Sequence, residues 1–377
     1  MAKWRIFLLL VCFTLFASGC QARQKLLLLN WGEYINEEAV ELFEAEYNVD
    51  VIINIASSNE MFYAKLKSGT TAYDLVIPSE YMVEKMVSKG LLQKIDYDLL
   101  TNYDPINNPY LPGVKGIQGE MFSDYEDYAV PYLWGTFGLM YNKKVQGLEE
   151  AILTYGWDAY FDASKRPANT RVGMYDVPRF AYAAALLANG ESPNLASNEA
   201  LELARTTLSK VKYSEWGTDT LKKGIAANNL DLAFVYTGDF LDMYYVKLEN
   251  NAPEDIMFDI YIPDETIAFM DTFVIPKKAR HLKEAHQFID FFLRPEIAYL
   301  NASVIGYCTP LIKTYEQITT YEGEDEWLTS WAYANRTYYP LPEADDPKQY
   351  KGTPLSSLDP DFLAAINTMV NNVKAEG

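Results

Sequence analysis

Two kinds of side chain gather where predicted strands give way to loops. Aromatics stand at Trp31, Tyr34, Tyr81, Tyr236, Phe269 and Tyr307, and carboxylates at Glu33, Asp176, Asp239 and Asp271. Together they suit a chain of methylenes that carries ammonium groups: the rings wall the stem and the carboxylates meet the charges. An aromatic face attracts an ammonium by about 0.5 to 2 kcal/mol, depending on how far both are desolvated. The chemistry is capture, not turnover. Each residue taken singly serves equally well as core packing or as a solvated charge, so the reading rests on their coincidence at loop starts.

Catalytic patterns are weak by comparison. His281 and His286 lie five residues apart, the wrong spacing for a shared metal on one helix face, and read as surface positions. No phosphate-binding glycine loop, dinucleotide fingerprint or nucleophile elbow is present. Cys308, without a histidine nearby in sequence, reads as a small buried apolar residue. No catalytic residue, metal ligand or cofactor is expected. A carboxylate-dependent hydrolase stays open as an alternative, because proximity among 52 acidic residues is not readable from sequence. Ferric ion at Tyr244-Tyr245 or Tyr338-Tyr339 is another, although tyrosine pairs are explained more cheaply as packing. An anion held by Arg179 is a third.

The elements that position these residues are α/β in pattern. Lys25 to Asn30 reads as a buried strand, Trp31 to Tyr34 as a turn, and Asn36 as the cap of a helix that faces inward through Ala39, Val40, Phe43 and Tyr47. Val49 to Ile55 and Ala72 to Ile77 are further strands, each followed by a helical stripe. Strand and helix alternate, so a parallel, doubly wound sheet is expected, with ligand beyond the carboxyl ends of its strands at Trp31–Tyr34 and Ser79–Tyr81. Ala129–Asn142, Thr170–Asp176 and Leu230–Gly238 repeat the logic as a second lobe. Pro340 to Pro360 reads as a strap before a last helix near Phe362 to Val373.

At the amino terminus, Lys3 and Arg5 precede an apolar stretch from Ile6 to Phe16, and Ala17-Ser-Gly leads into Cys20. The stretch is about half the roughly 20 residues that a spanning helix needs, so export and cleavage are expected. Residues 1–19 read as a signal, and Cys20 resembles the acylated cysteine of a bacterial lipobox. With Cys12 lost and Cys20 acylated, Cys308 is left alone and no disulfide is possible. The formal charge of −20 argues against nucleic acid and anionic lipid and favours a cationic partner.

Several segments are more specific. Asn30-Trp-Gly-Glu-Tyr34, Ser58-Asn-Glu-Met-Phe-Tyr-Ala-Lys-Leu66, Ala72-Tyr-Asp-Leu-Val-Ile-Pro-Ser79, Pro131-Tyr-Leu-Trp-Gly135, Phe291-Phe-Leu-Arg-Pro295 and Ile305-Gly-Tyr-Cys-Thr-Pro310 resemble the spermidine/putrescine-binding proteins, the receptors of polyamine ABC importers. The resemblance implies a type II periplasmic-binding fold, with two doubly wound α/β lobes joined by a crossover hinge and a ligand cleft between them. It places 20–130 and 265–310 in an N-terminal lobe, and 131–264 and 311–377 in a C-terminal lobe. Carried over residue by residue, it puts ligand contacts on Trp31, Glu33, Tyr34, Ser79, Tyr81, Asp176, Arg179, Tyr236, Asp239, Phe269, Asp271 and Tyr307.

Arg179 stands where these receptors commonly have glutamate, Gly32 replaces a hydroxyl residue, and Tyr236 and Phe269 replace tryptophans. A cation at Arg179 would repel a second ammonium unless turned away or paired with a neighbour such as Asp176. The implied partners are a small polyamine and the permease of an ABC importer. The implied form is a monomer, periplasmic or at the cell surface, held to the membrane only by the lipid on Cys20.

Overall fold

The computed structural model describes residues 23–121, 124–250, 256–341 and 350–376. The expected signal, Cys20 and part of the strap lie outside the described residues. Among those described, no helix is long and apolar enough to cross a membrane.

The leucine run of β1 (Gln24–Asn30) is buried because it is a central strand. It pairs in parallel with β2 (Val49–Ile55) on one side and β3 (Leu75–Val76) on the other. β3 is shorter than the expected 72–77 strand, but Asp74 N–H and Ile77 N–H still donate to the β1 carbonyls of Leu27 and Leu29. Between β1 and β2 runs the helix Glu37–Tyr47, whose first turn is capped by Asn36 Oδ1 accepting from Glu38 and Ala39 N–H at 2.8 and 3.3 Å. It buries Ala39, Val40 and Phe43 and ends at Asn48 in the left-handed region. The helix Asn59–Ser68, capped by Ser58, follows β2, and the helix Glu80–Ser88 follows β3 and leads to β4 (Leu92–Gln93).

A seven-stranded sheet spans the second lobe and the strands that join it to the first. Its backbone is β5 (Val130–Asn142), buried along its whole length. β6 (Val172–Tyr175) lies between β7 (Tyr213–Gly217) and β8 (Leu232–Tyr236) in parallel. β8 and β9 (Phe258–Tyr261) run antiparallel to the second half of β5. The first half of β5 instead pairs antiparallel with β10 (Ile267–Phe273), from Thr136↔Ala268 to Val130↔Phe273.

After β10 the chain passes to the first lobe. Val274 bridges Val76, and β11 (Ile275–Pro276) pairs with β4. β5 and β10 therefore form a two-stranded ribbon between the lobes, with a bulge at Asp271/Thr272. The described end of the strap returns to this ribbon, where β12 (Thr353–Pro354) adds in parallel to β10. The last helix, Pro360–Glu376, packs Ile366, Met369, Val370 and Val373 against the helices Pro178–Leu187 and Asn198–Leu208.

The two histidines are not both superficial. His286 is buried: its Nδ1–H faces the Leu282 carbonyl at 2.7 Å and its Nε2 accepts from Asp96 N–H at 3.0 Å, so it ties a helix to a loop. His281 Nδ1 lies 2.9 Å from Asp74. Cys308 is a buried free thiol.

Gly306 closes the helix Pro295–Ile305 at φ +71°, and a Cβ there would run into the backbone of Asp242. Only glycine meets both demands, and the following residue, Tyr307, is thereby brought onto the start of the helix Thr237–Glu249. Gly306→Ala is expected to cost roughly 2 kcal/mol or more in urea unfolding; an unchanged midpoint would mean that the helix tolerates displacement at this contact.

Candidate functional site

Between the lobes lies a cavity of about 140 Å³. Trp31, Tyr34 and Tyr81 line it from the first lobe, Tyr175, Phe180 and Tyr236 from the second, and Tyr307 from the loop after Gly306. The rings support one another edge to face: Tyr34 to Tyr307 at 4.7 Å, Tyr175 to Tyr236 at 5.2 Å, and Trp31 to Phe62 at 4.6 Å between centroids. Such pairs hold rings upright as rigid walls.

The loop at the end of β1 is fixed from beneath. Tyr132 Oη donates to the Tyr34 carbonyl at 2.9 Å, and Asn30 Nδ2 donates to the same oxygen at 3.4 Å. Glu33 takes the left-handed conformation, φ 49°, within this turn. From here Tyr34 Oη donates to Asp271 Oδ2 at 2.7 Å, and Ser79 Oγ donates to Asp271 Oδ1 at 2.6 Å. Ser79 is itself held by Asn59, whose Oδ1 accepts from Ser79 N–H at 2.9 Å. Asp271 thus stands on the inter-lobe ribbon, buried, with both oxygens engaged by the first lobe and a face open to the cavity. Burial pushes its pKa up to about 6, against the pull of Ser79 and Tyr34. Tyr81 also lines the cavity, with its hydroxyl fully buried.

Of the residues expected at the site, six line the cavity: Trp31, Tyr34, Tyr81, Tyr236, Asp271 and Tyr307. Two stand directly behind it. Ser79 orients Asp271, and Phe269 packs under Tyr236 at 4.8 Å, over Gly135, where a Cβ would strike its ring.

The other four are placed elsewhere. Asp176 is exposed and pairs with Lys374 of the last helix. Arg179 is buried and turned away: Nη1 donates to the Pro193 carbonyl at 2.9 Å and Nη2 to Asn194 Oδ1 at 2.8 Å, so its partner is a turn and not Asp176. Burial lowers its pKa to about 10. Glu33 sits at the rim and reaches across to Lys223 at 2.7 Å and Lys222 at 3.7 Å. Asp239 is buried behind Tyr307, whose hydroxyl donates to its Oδ1 at 3.1 Å, and lies 3.4 Å from Lys222.

Asp219, at the start of the helix Asp219–Ala226, lines the cavity as a second carboxylate. It was not among the expected contacts, nor was Tyr175. Tyr175 ends β6 beside Asp176, and the strand-end rule points to it equally well; alternation along the strand sends the ring inward and Asp176 outward. The paired tyrosines have other work. Tyr338 Oη donates to Asp259, Tyr245 Oη accepts from Asn335, and Tyr339 Oη accepts from Thr309 N–H.

Two α/β lobes on a shared ribbon, with an aromatic, carboxylate-bearing cavity between them, define a solute receptor of the periplasmic-binding class. The profile described as bacterial extracellular solute-binding protein matches residues 38–335, and the chain belongs to that family. It is 28% identical over 339 residues to the spermidine/putrescine-binding periplasmic protein of Escherichia coli (strain K12), covering 87% of this chain and 90% of the relative. Among solved structures, a putative spermidine/putrescine ABC transporter from Listeria monocytogenes superposes with a TM-score of 0.76 at 27% identity, over 94% of this chain and 100% of that one. The Tp0655 (TpPotD) lipoprotein of Treponema pallidum does so with a TM-score of 0.71 at 26% identity, over 93% and 99%.

A carboxyl whose folded pKa lies above its ordinary 3.8 is most favourable to folding when protonated; that advantage is whole below about pH 4 and is lost as pH rises through about 6. Asp271→Asn removes this dependence. In urea unfolding without ligand, the difference in stability between variant and wild type should move in the variant's favour from about pH 4 to about pH 7; a constant difference would contradict the raised pKa.

Proposed function

We propose that this chain captures a linear polyamine of the putrescine/spermidine type outside the cytoplasm and delivers it, unchanged, to the permease of an ABC importer. The observation that carries this reading is Asp271, a buried carboxylate facing a cavity that Trp31, Tyr34, Tyr175, Tyr236 and Tyr307 help to wall. An ammonium there would meet an oxygen already oriented by Tyr34 and Ser79, and its methylene stem would lie against Tyr236, Tyr307 and Trp31. Asp219 would meet the other end of the ligand. Ammonium in place of solvent would return Asp271 to its charged form, since a neighbouring cation lowers a carboxyl pKa. Phe269, Ser79 and Asp239 act from behind the wall.

The same reading makes residues 1–19 a signal and Cys20 a lipid anchor that keeps a monomeric receptor beside its permease. In support, one solved relative is titled a lipoprotein. It divides the chain at the ribbon, with 20–130 and 265–310 in one lobe and 131–264 and 311–377 in the other.

Thermal-shift measurements should show stabilisation by putrescine or spermidine and none by ferric ion, phosphate or sugars. A ligand at about 100 times its Kd adds about 2.7 kcal/mol to stability, several degrees of Tm. No stabilisation by any di- or triamine would sink the proposal. By calorimetry, Asp271→Asn should bind the preferred amine at least about tenfold more weakly, since hydrogen bonds to charged groups contribute about 1.5 to 3 kcal/mol; unchanged affinity would remove the carboxylate from the site.

A further inference from the structure

Arg179 is held by the turn at Pro193 and Asn194, but a second buried cation stands near the cavity. Lys222, on the helix that begins with the cavity residue Asp219, is 2% exposed, and its ammonium lies 2.8 Å from Asp242, 3.4 Å from Asp239 and 3.7 Å from Glu33. Two of these carboxylates belong to the helix Thr237–Glu249 and the third to the β1 loop of the opposite lobe. The cluster is one layer from the ligand space. Tyr307, a cavity wall, donates to Asp239 Oδ1, the same oxygen that faces Lys222.

Three carboxylates converging behind the end of an amine-binding cavity would otherwise form a receptor for a further ammonium. Here a protein ammonium already fills that place. Burial by itself would lower the Lys222 pKa, but Asp239 and Asp242 hold it above its ordinary value, so the charge persists at any physiological pH. Lys223 pairs with Glu33 at 2.7 Å and leaves the corner still closer to neutral. The carboxylates left facing the cavity are Asp271 and Asp219, two charges for a ligand with two ammonium groups.

We propose that Lys222 is a resident counter-ion that restricts the cleft to short diamines, by holding the carboxylates a third ammonium would need. The proposal rests on the polyamine reading above. A buried structural ion pair and a specificity determinant differ in one readout: only the second changes the ranking of ligands.

Calorimetry of wild type with putrescine, cadaverine and spermidine should place either diamine at least about tenfold tighter than spermidine. Lys222→Met should shift the spermidine-to-putrescine affinity ratio by about tenfold or more toward spermidine, and adding Asp239→Asn should abolish the gain. Removing one partner of a buried ionic cluster can unfold a protein. Lys222→Met/Asp242→Asn, which deletes one charge of each sign, is therefore measured alongside and should show the same shift. Amine binding with a ranking that is identical in wild type and both variants would overturn the role of Lys222 and leave polyamine capture standing. Absence of amine binding in wild type and variants alike would overturn both.

Discussion

The carboxylate of Asp271 is the point on which the lobes, the cavity and the chemistry converge. It leaves a strand that belongs to the ribbon, and it is held by a serine and a tyrosine of the first lobe. It also faces rings contributed by the second. A buried carboxyl without partners costs several kcal/mol. Its two donors must therefore be in place, and each is itself fixed, Ser79 by Asn59 and the Tyr34 loop by Tyr132 and Asn30. Much of the first lobe can be understood as the scaffold that brings these donors to one spot.

Around that point the walls are built from rings, not from charges. Tyr34 meets Tyr307 and Tyr175 meets Tyr236 edge to face, and Tyr236 and Tyr307 pack tilted against each other, so their positions are mutually determined. Glycines make the approach close enough: Gly135 beneath Phe269, Gly238 beneath Tyr307, and Gly306 against the backbone of Asp242. Rigid, pre-positioned walls reduce the ordering cost of binding.

The fold was largely legible, because its signals are local. A run of leucines can be buried on both faces only as a central strand, and Asn36 and Ser58 cap the helices that their positions announce. The cavity wall was legible where strand ends supply it, as at Trp31, Tyr34, Tyr81 and Tyr236. Direction was not. Arg179 directly precedes the cavity residue Phe180, yet a turn at Pro193 and Asn194 draws its guanidinium away. Lys222 was not singled out by its sequence; its ionic partners Asp239, Asp242 and Glu33 are distant along the chain and meet it only through the fold. Long-range ionic partners leave no periodic trace, whereas apolar faces do.

The bulge at Asp271/Thr272 gives the ribbon a further property. A bulge is where a paired strand bends most easily and where side chains are re-aimed. This one leaves Tyr132 of β5 as the extra residue, opposite the Asp271–Thr272 step of β10 that carries the central carboxylate. Tyr132 is also the residue whose hydroxyl holds the Tyr34 carbonyl, so the irregularity in the ribbon and the loop that orients the carboxylate share one side chain.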